Sequence, residues 1–292
     1  MTKDAFAQRL REGLLIADGA TGSCLMAAGM PRGVPTVRWI ETHPDVLVQL
    51  QRDYIRAGAQ LIYAPTFHSN RICFEQLGLS CSVGDSVRAM VALSREAAAG
   101  TAALVAGNLG SAGVPPEPYG PLTYERMLDC YTEQIEALAG AGVDLLAAET
   151  LLAAEEALAL LDAAAGCGLP VICTMTVEAD GALLFGGNIF DAAADLEAMG
   201  AAAVGINCSV GPDQLESVVR TLCSRVSVPV AVKPNAGMPE LTETGDAVYP
   251  MGPEAFAAHM CRLRDAGAEI LGGCCGTTPD YIRALCAALA KR

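Results

Sequence analysis

The chain has 292 residues, 52% hydrophobic and 18% charged, with a formal net charge of −14 and twelve cysteines. Such a composition supports a large buried core and excludes a disordered chain. The acidic balance disfavours nucleic acid or an anionic membrane surface as partner, and no apolar run is long and clean enough to span a bilayer.

In chain order, Met1-Thr2-Lys3-Asp4 opens a charged amphipathic segment rather than the apolar core of a signal peptide. A reducing, cytoplasmic setting is therefore expected, in which clustered cysteines bind metal or do chemistry instead of forming disulfides. Short apolar runs then alternate with longer amphipathic stretches. The runs are Leu14–Ala17, Leu61–Ala64, Ala103–Ala106, Leu145–Ala148, Val171–Met175, Ala203–Ile206, Val230–Val232 and Glu269–Leu271. They lack polar alternation, as parallel strands covered on both faces do. Helix-length segments lie between them, among them Pro44–Gly58, Tyr124–Gly142, Ala153–Gly166 and Pro253–Gly267. Glycines at 58, 142, 200 and 267 stand where helices would stop before the next strand. Eight βα units in one chain of this length predict a single-domain (β/α)8 TIM barrel over residues 1–292. An open doubly wound sheet is the alternative, but no G-x-G-x-x-G follows the first run. Pro115-Pro116-Glu117-Pro118 reads as a rigid loop after the third strand, not as a domain boundary.

In a barrel, function gathers at the C-terminal ends of the strands. Those ends read Asp18-Gly19-Ala20-Thr21-Gly22, Thr66-Phe67-His68, Gly107-Asn108, Glu149-Thr150, Asn207-Cys208, Lys233-Pro234-Asn235-Ala236-Gly237 and Gly272-Gly273-Cys274-Cys275-Gly276-Thr277-Thr278-Pro279. Cys208, Cys274 and Cys275 thus share one predicted rim. Three thiolates with an open fourth position resemble a catalytic zinc site, because structural zinc is normally closed by four protein ligands. A thiol titrates at roughly 8.5 when free and is deprotonated when zinc holds it, so the chemistry such a site favours is thiol activation. The other cysteines read as core or surface. Asp18 and Glu149 have two readings: caps of the βα loops, or carboxylates that hold a substrate ammonium. Gly19 and the bare N–H groups after it suit a substrate carboxylate. Asn235 is locally a turn residue, and His43, His68 and His259 have no partner that fixes a role. No nucleophile elbow or P-loop occurs.

These motifs, taken in order, resemble the homocysteine S-methyltransferase family over essentially the whole chain, and especially the homocysteine-binding barrel of cobalamin-dependent methionine synthase. The carriers are Asp18–Gly22, Thr66-Phe67, Glu149-Thr150, Gly205-Ile206-Asn207-Cys208, Pro234–Gly237 and Gly272–Pro279. The resemblance implies a (β/α)8 barrel that binds Zn2+ through Cys208, Cys274 and Cys275, with the homocysteine thiolate completing the tetrahedron. It further implies Asn235 as a displaceable fourth ligand, Glu149 on the substrate amine, and Asp18 with Gly19 in the same pocket. Two motifs depart from the family pattern, Ala64-Pro65-Thr66-Phe67 and Ala20-Thr21-Gly22-Ser23, and neither touches a ligand. The reaction expected is methyl transfer to homocysteine to give methionine. No D-x-H-x-x-G cobalamin motif is present, so a methyl-corrinoid donor is expected on a separate protein. Other possibilities are S-methylmethionine, S-adenosylmethionine or betaine as donor, a thiol methyltransferase of a corrinoid demethylation system, or a non-enzymatic zinc structural or sensing module with a fourth permanent ligand.

Overall fold

The computed structural model describes residues 1–242 and 247–291. Eight parallel strands form one sheet: β1 (Leu15–Ile16), β2 (Leu61–Ala64), β3 (Leu104–Leu109), β4 (Leu145–Leu151), β5 (Val171–Met175), β6 (Ala203–Asn207), β7 (Val230–Lys233) and β8 (Ile270–Leu271). They pair in chain order from β2 to β8, and β8 pairs with β1. A parallel bridge between Ala17 and Leu61 closes the ring, with the Asp18 N–H donating to Leu61 O at 2.9 Å. The expected (β/α)8 barrel is therefore the fold observed. A two-stranded ribbon, Glu240–Leu241 with Ala247–Val248, is added in the loop after β7.

The helix Pro44–Ala57 shows how the sequence builds the outer layer. Pro44 opens it, Asp45 sits in the first turn and Arg56 in the last, each favourable to the helix dipole. Leu47, Val48, Gln51 and Tyr54 fall on one buried stripe. Gly58 ends it in the left-handed conformation (φ +114°), and the Ala59 N–H reaches back to Tyr54 O at 3.0 Å. The helices stop one or more residues before the predicted glycines; Gly142 and Gly267, at φ +78° and +118°, lie just outside them. Two inward contacts from Pro44–Ala57 hold the rim: Gln51 Nε2 donates to Tyr63 O at 2.9 Å, and the Tyr54 hydroxyl donates to Ala20 O at 2.8 Å.

The barrel interior is filled by Leu15, Ala17, Leu61, Ala106, Ala147, Ile172, Ala231 and Ile270, none more than 1% exposed. Strand side chains alternate between faces, so the next inward layer lies two residues further along. On β2 to β7 that layer is Tyr63, Asn108, Glu149, Thr174, Asn207 and Lys233. A polar floor thus sits on an apolar plug. β4 differs from expectation: it continues past Ala148 to Leu151 through a register shift, with Thr150 left-handed at φ +61°. A bulge of this kind re-aims side chains next to a site.

Candidate active site

Over the polar floor opens a cavity of about 310 Å3, walled by Asp18–Ser23, Tyr63–Pro65, Phe67, Asn108, Glu149, Thr150, Cys208, Lys233 and Gly273–Cys275 among others. Both departures from the family pattern, Pro65 and the Thr21 to Ser23 turn, lie on this wall.

The thiol end is assembled from two loops braced on a third. Cys208 follows β6 in the left-handed conformation (φ +48°), and its N–H donates to Lys233 O at 3.2 Å. Beyond β8 the chain turns at Gly273, where a Cβ would lie 2.4 Å from Thr277 Oγ1, so only glycine fits. Thr277 Oγ1 donates to Cys274 O at 2.7 Å and accepts from the Ala20 N–H at 3.1 Å, fastening this loop to the one after β1. The Cys274 N–H donates to Pro234 O at 2.8 Å. The bend directs both sulfurs of the pair to Cys208. The three Sγ atoms lie within 4.8 Å of one another, and Cys208 and Cys275 are 3.6 Å apart. Tetrahedral zinc with Zn–S bonds of about 2.3 Å needs sulfurs about 3.8 Å apart, so the donor set fits a thiophilic metal. Among the described residues this is the one such cluster. Hydrogen bonds from Cys208 and then Cys274 pull the Cys275 thiol down to about 3, while Cys274, bonded to Cys208 and Cys275, is pushed well up. Hydrogen bonding to Cys274 lowers the Cys208 thiol, but Cys275 and burial outweigh it and push it up to about 12, so of the three sulfurs only Cys275 is favoured as the anion.

Asn235 is 6% exposed and lies behind the cavity wall. Its Nδ2 donates to Ser209 O at 2.7 Å and its Oδ1 accepts from the Cys275 N–H at 3.1 Å. It therefore ties the Cys208 loop to the Cys275 loop.

At the other end, the Lys233 ammonium is buried 3.1 Å from Asp18 Oδ1 and 3.7 Å from Glu149 Oε2, over the Tyr63 ring at 3.4 Å from its centroid. Burial opposes the charge, but Asp18, Tyr63 and Glu149 outweigh it and push the Lys233 pKa above its ordinary value. Asp18 Oδ2 accepts from the Tyr63 N–H at 2.8 Å. Asp18 thus lines the cavity with both oxygens already engaged. Glu149 Oε1 accepts from Asn108 Nδ2 at 2.8 Å. Glu149 Oε2 and Asn108 Oδ1 are both buried without a hydrogen-bond partner. Buried polar atoms are rarely left so, and these two belong to neighbouring residues on one cavity wall. Two carboxylates against one ammonium also leave a surplus negative charge there. Gly19 completes the wall: its N–H donates to no acceptor among the described residues, and a Cβ on it would lie 2.6 Å from Thr277 Oγ1.

The structure therefore gathers Asp18, Gly19, Glu149, Cys208, Cys274 and Cys275 at one cavity and sets Asn235 just behind it. Sequence reading gave no role to Lys233, Asn108 or Asn207. The signal that finds them is strand alternation, since each stands two residues after a small interior residue: Ala231, Ala106 and Gly205.

The three-cysteine cluster and the carboxylate-walled cavity share the one rim where (β/α)8 enzymes place their active sites. The chain is a member of the homocysteine S-methyltransferase family, whose model matches residues 15–289. It is 33% identical over 302 residues to a methionine synthase of Mycobacterium leprae and 32% over 306 residues to one of Mycobacterium tuberculosis, matching 97% and 99% of this chain. It spans about a quarter of those relatives' length, 25% in each case. The metallated form of the homocysteine methyltransferase MmuM from Escherichia coli superposes with a TM-score of 0.78 at 26% identity, covering 96% of this chain and 98% of that one. No helix among the described residues is long and apolar enough to cross a membrane.

Proposed function

We propose that this chain is a zinc-dependent methyltransferase that moves a methyl group to the thiol of homocysteine, giving methionine. The observation that carries the reading is one cavity with a three-sulfur cluster of a size that suits a metal at one end and two buried acceptors that make no hydrogen bond within the protein at the other. An amino acid with a thiol side chain meets both. Cys208, Cys274 and Cys275 would hold Zn2+, which when bound keeps the incoming thiol deprotonated at neutral pH. Glu149 Oε2 and Asn108 Oδ1 accept from the substrate ammonium, the N–H of Gly19 faces its carboxylate, and Asp18 holds Lys233 in place beneath them. Asn235 positions Cys275. Its oxygen has a second lone pair, through which it would serve as the displaceable fourth ligand. The substrate sulfur then attacks the donor's methyl carbon in line, the C–S bond forming as the bond to the donor's leaving group breaks.

The donor we propose is a methyl-corrinoid presented by a separate protein, and the organisation of the rim supports it. Met26, Leu77, Tyr119, Leu184, Met238 and Val248 are large, exposed and apolar, and each lies in a segment between the C-terminal end of a barrel strand and the outer helix that follows. A barrel brings those segments to one end, and exposed apolar side chains there offer surface for a docking partner to cover. The match to MmuM, a homocysteine methyltransferase of which this chain covers 98%, supports as the second reading a donor that a lone barrel can use, such as S-methylmethionine, S-adenosylmethionine or betaine. The test is methionine formation by zinc-loaded protein from homocysteine and each of methylcobalamin, free or protein-bound, S-methylmethionine, S-adenosylmethionine and betaine. Turnover with a corrinoid donor is expected. Turnover with a sulfonium donor alone overturns the donor assignment, and no methionine with any donor overturns the activity.

A further inference from the structure

Asn207 is wholly buried, and its side chain reaches across β5 to β4. Its Oδ1 accepts from the Thr150 N–H at 2.7 Å and from Thr174 Oγ1 at 2.8 Å, while its Nδ2 donates to Thr150 Oγ1 at 2.7 Å. Thr150 and Cys208 are the only non-glycine residues with positive φ among the described residues, at +61° and +48°. Such a conformation is unusual for any side chain and more so for a β-branched one, so it persists where neighbours enforce it. Asn207 grips Thr150 by both its backbone and its hydroxyl, and Asn207 is itself the residue before Cys208. The strained pair is therefore coupled through one side chain. Thr150 follows Glu149, the proposed amine acceptor, and Cys208 is a proposed metal ligand.

We infer that Asn207 is a positioning residue that fixes the distance between the amine end and the sulfur end of the site, and so selects thiol substrates by chain length. This rests on the function proposed above, in which the substrate is anchored at both ends. A substrate held at two fixed points is measured between them. Cysteine, one methylene shorter, cannot reach both Glu149 and the metal when the grip is intact. Without the grip, β4 can relax its bulge and Glu149 loses its fixed height above the cluster, whereas Cys208 keeps its own backbone bond to Lys233 O and the three sulfurs stay together.

The test is the affinity of zinc-loaded protein for homocysteine and for cysteine, measured by titration calorimetry without any methyl donor, together with zinc per chain. Wild type is expected to favour homocysteine by roughly 10–200-fold, the usual discrimination for one methylene. In Asn207→Ala and Thr150→Gly, zinc is retained, homocysteine binds more weakly, and the preference falls by at least about tenfold. Thr150→Val removes only the hydroxyl grip in a side chain of the same shape, and it decides the matter if Asn207→Ala does not fold. An unchanged homocysteine-to-cysteine ratio in folded, zinc-loaded variants overturns the assignment. A wild type that binds neither thiol overturns the underlying function, and the ruler with it.

Discussion

Replacing Lys233 by Met removes the ammonium that the buried Asp18 and the partly buried Glu149 carboxylates share. At 3.1 Å from Asp18 and 3.7 Å from Glu149, with an effective dielectric of about 20, the attractions are worth about 5.4 and about 4.5 kcal/mol before desolvation. Desolvation of the ammonium offsets much of this, and breaking a buried pair typically costs about 3–5 kcal/mol. Two carboxylates on one ammonium place Lys233→Met toward the upper part of that range. The loss has a pH signature. In wild type the raised Lys233 pKa keeps its stabilisation intact below the ordinary lysine value of about 10.4, to be lost only as pH rises through the folded value. Burial raises the Asp18 pKa and Lys233 is the largest influence lowering it, so in the variant Asp18 rises further. The folded variant then binds protons that its unfolded chain does not, and its deficit shrinks as pH falls below neutral. Urea unfolding of the metal-free, reduced proteins at pH 8 and pH 6 measures this. A deficit of about 1 kcal/mol or less, the size of an exposed pair, or one that does not narrow at pH 6, refutes the reasoning.

Glu149→Gln keeps the shape and removes the charge, so homocysteine affinity should fall roughly 10–100-fold, equivalent to a charge-assisted bond of about 1.5–3 kcal/mol; calorimetry on zinc-loaded protein checks it. Cys275→Ser should abolish stoichiometric zinc, read by metal analysis after dialysis, while Cys173→Ala on β5, outside the cluster, leaves zinc at one per chain. Gly19→Ala forces a methyl to 2.6 Å from Thr277 Oγ1 and 2.7 Å from the Tyr54 hydroxyl, and should destabilise by about 1–3 kcal/mol as overpacking does, measured by urea unfolding.

The barrel was legible because its strands are short unbroken apolar runs and four of its helices are followed by glycine at 58, 142, 200 and 267, all of positive φ in the structure. The thiol cluster was legible for a different reason: Cys208, Cys274 and Cys275 follow β6 and β8, and a barrel brings all strand ends to one rim. The carboxylate end of the cavity was half legible. Glu149 stood out as a carboxylate after an apolar run, but its partner Asn108 reads as an ordinary polar residue until the inward alternation from Ala106 is counted. Lys233 was hidden because a lysine at a strand end is normally solvated, and only the carboxylates of Asp18 and Glu149, remote in sequence, make a buried ammonium stable. The bulge in β4 left no local mark. Thr150 has no intrinsic preference for left-handed backbone, and the residue that imposes it, Asn207, is 57 positions away. Asn235, a turn residue by local chemistry, braces the Cys208 and Cys275 loops through contacts that no spacing encodes.

That the three cysteines hold a metal at which homocysteine sulfur binds is tested most directly by zinc K-edge X-ray absorption, before and after homocysteine is added. Three sulfurs at about 2.3 Å with one nitrogen or oxygen neighbour, rising to four sulfurs with homocysteine, is the expected result. Zinc that already has four protein ligands and does not change, or a protein that holds no zinc, would contradict it.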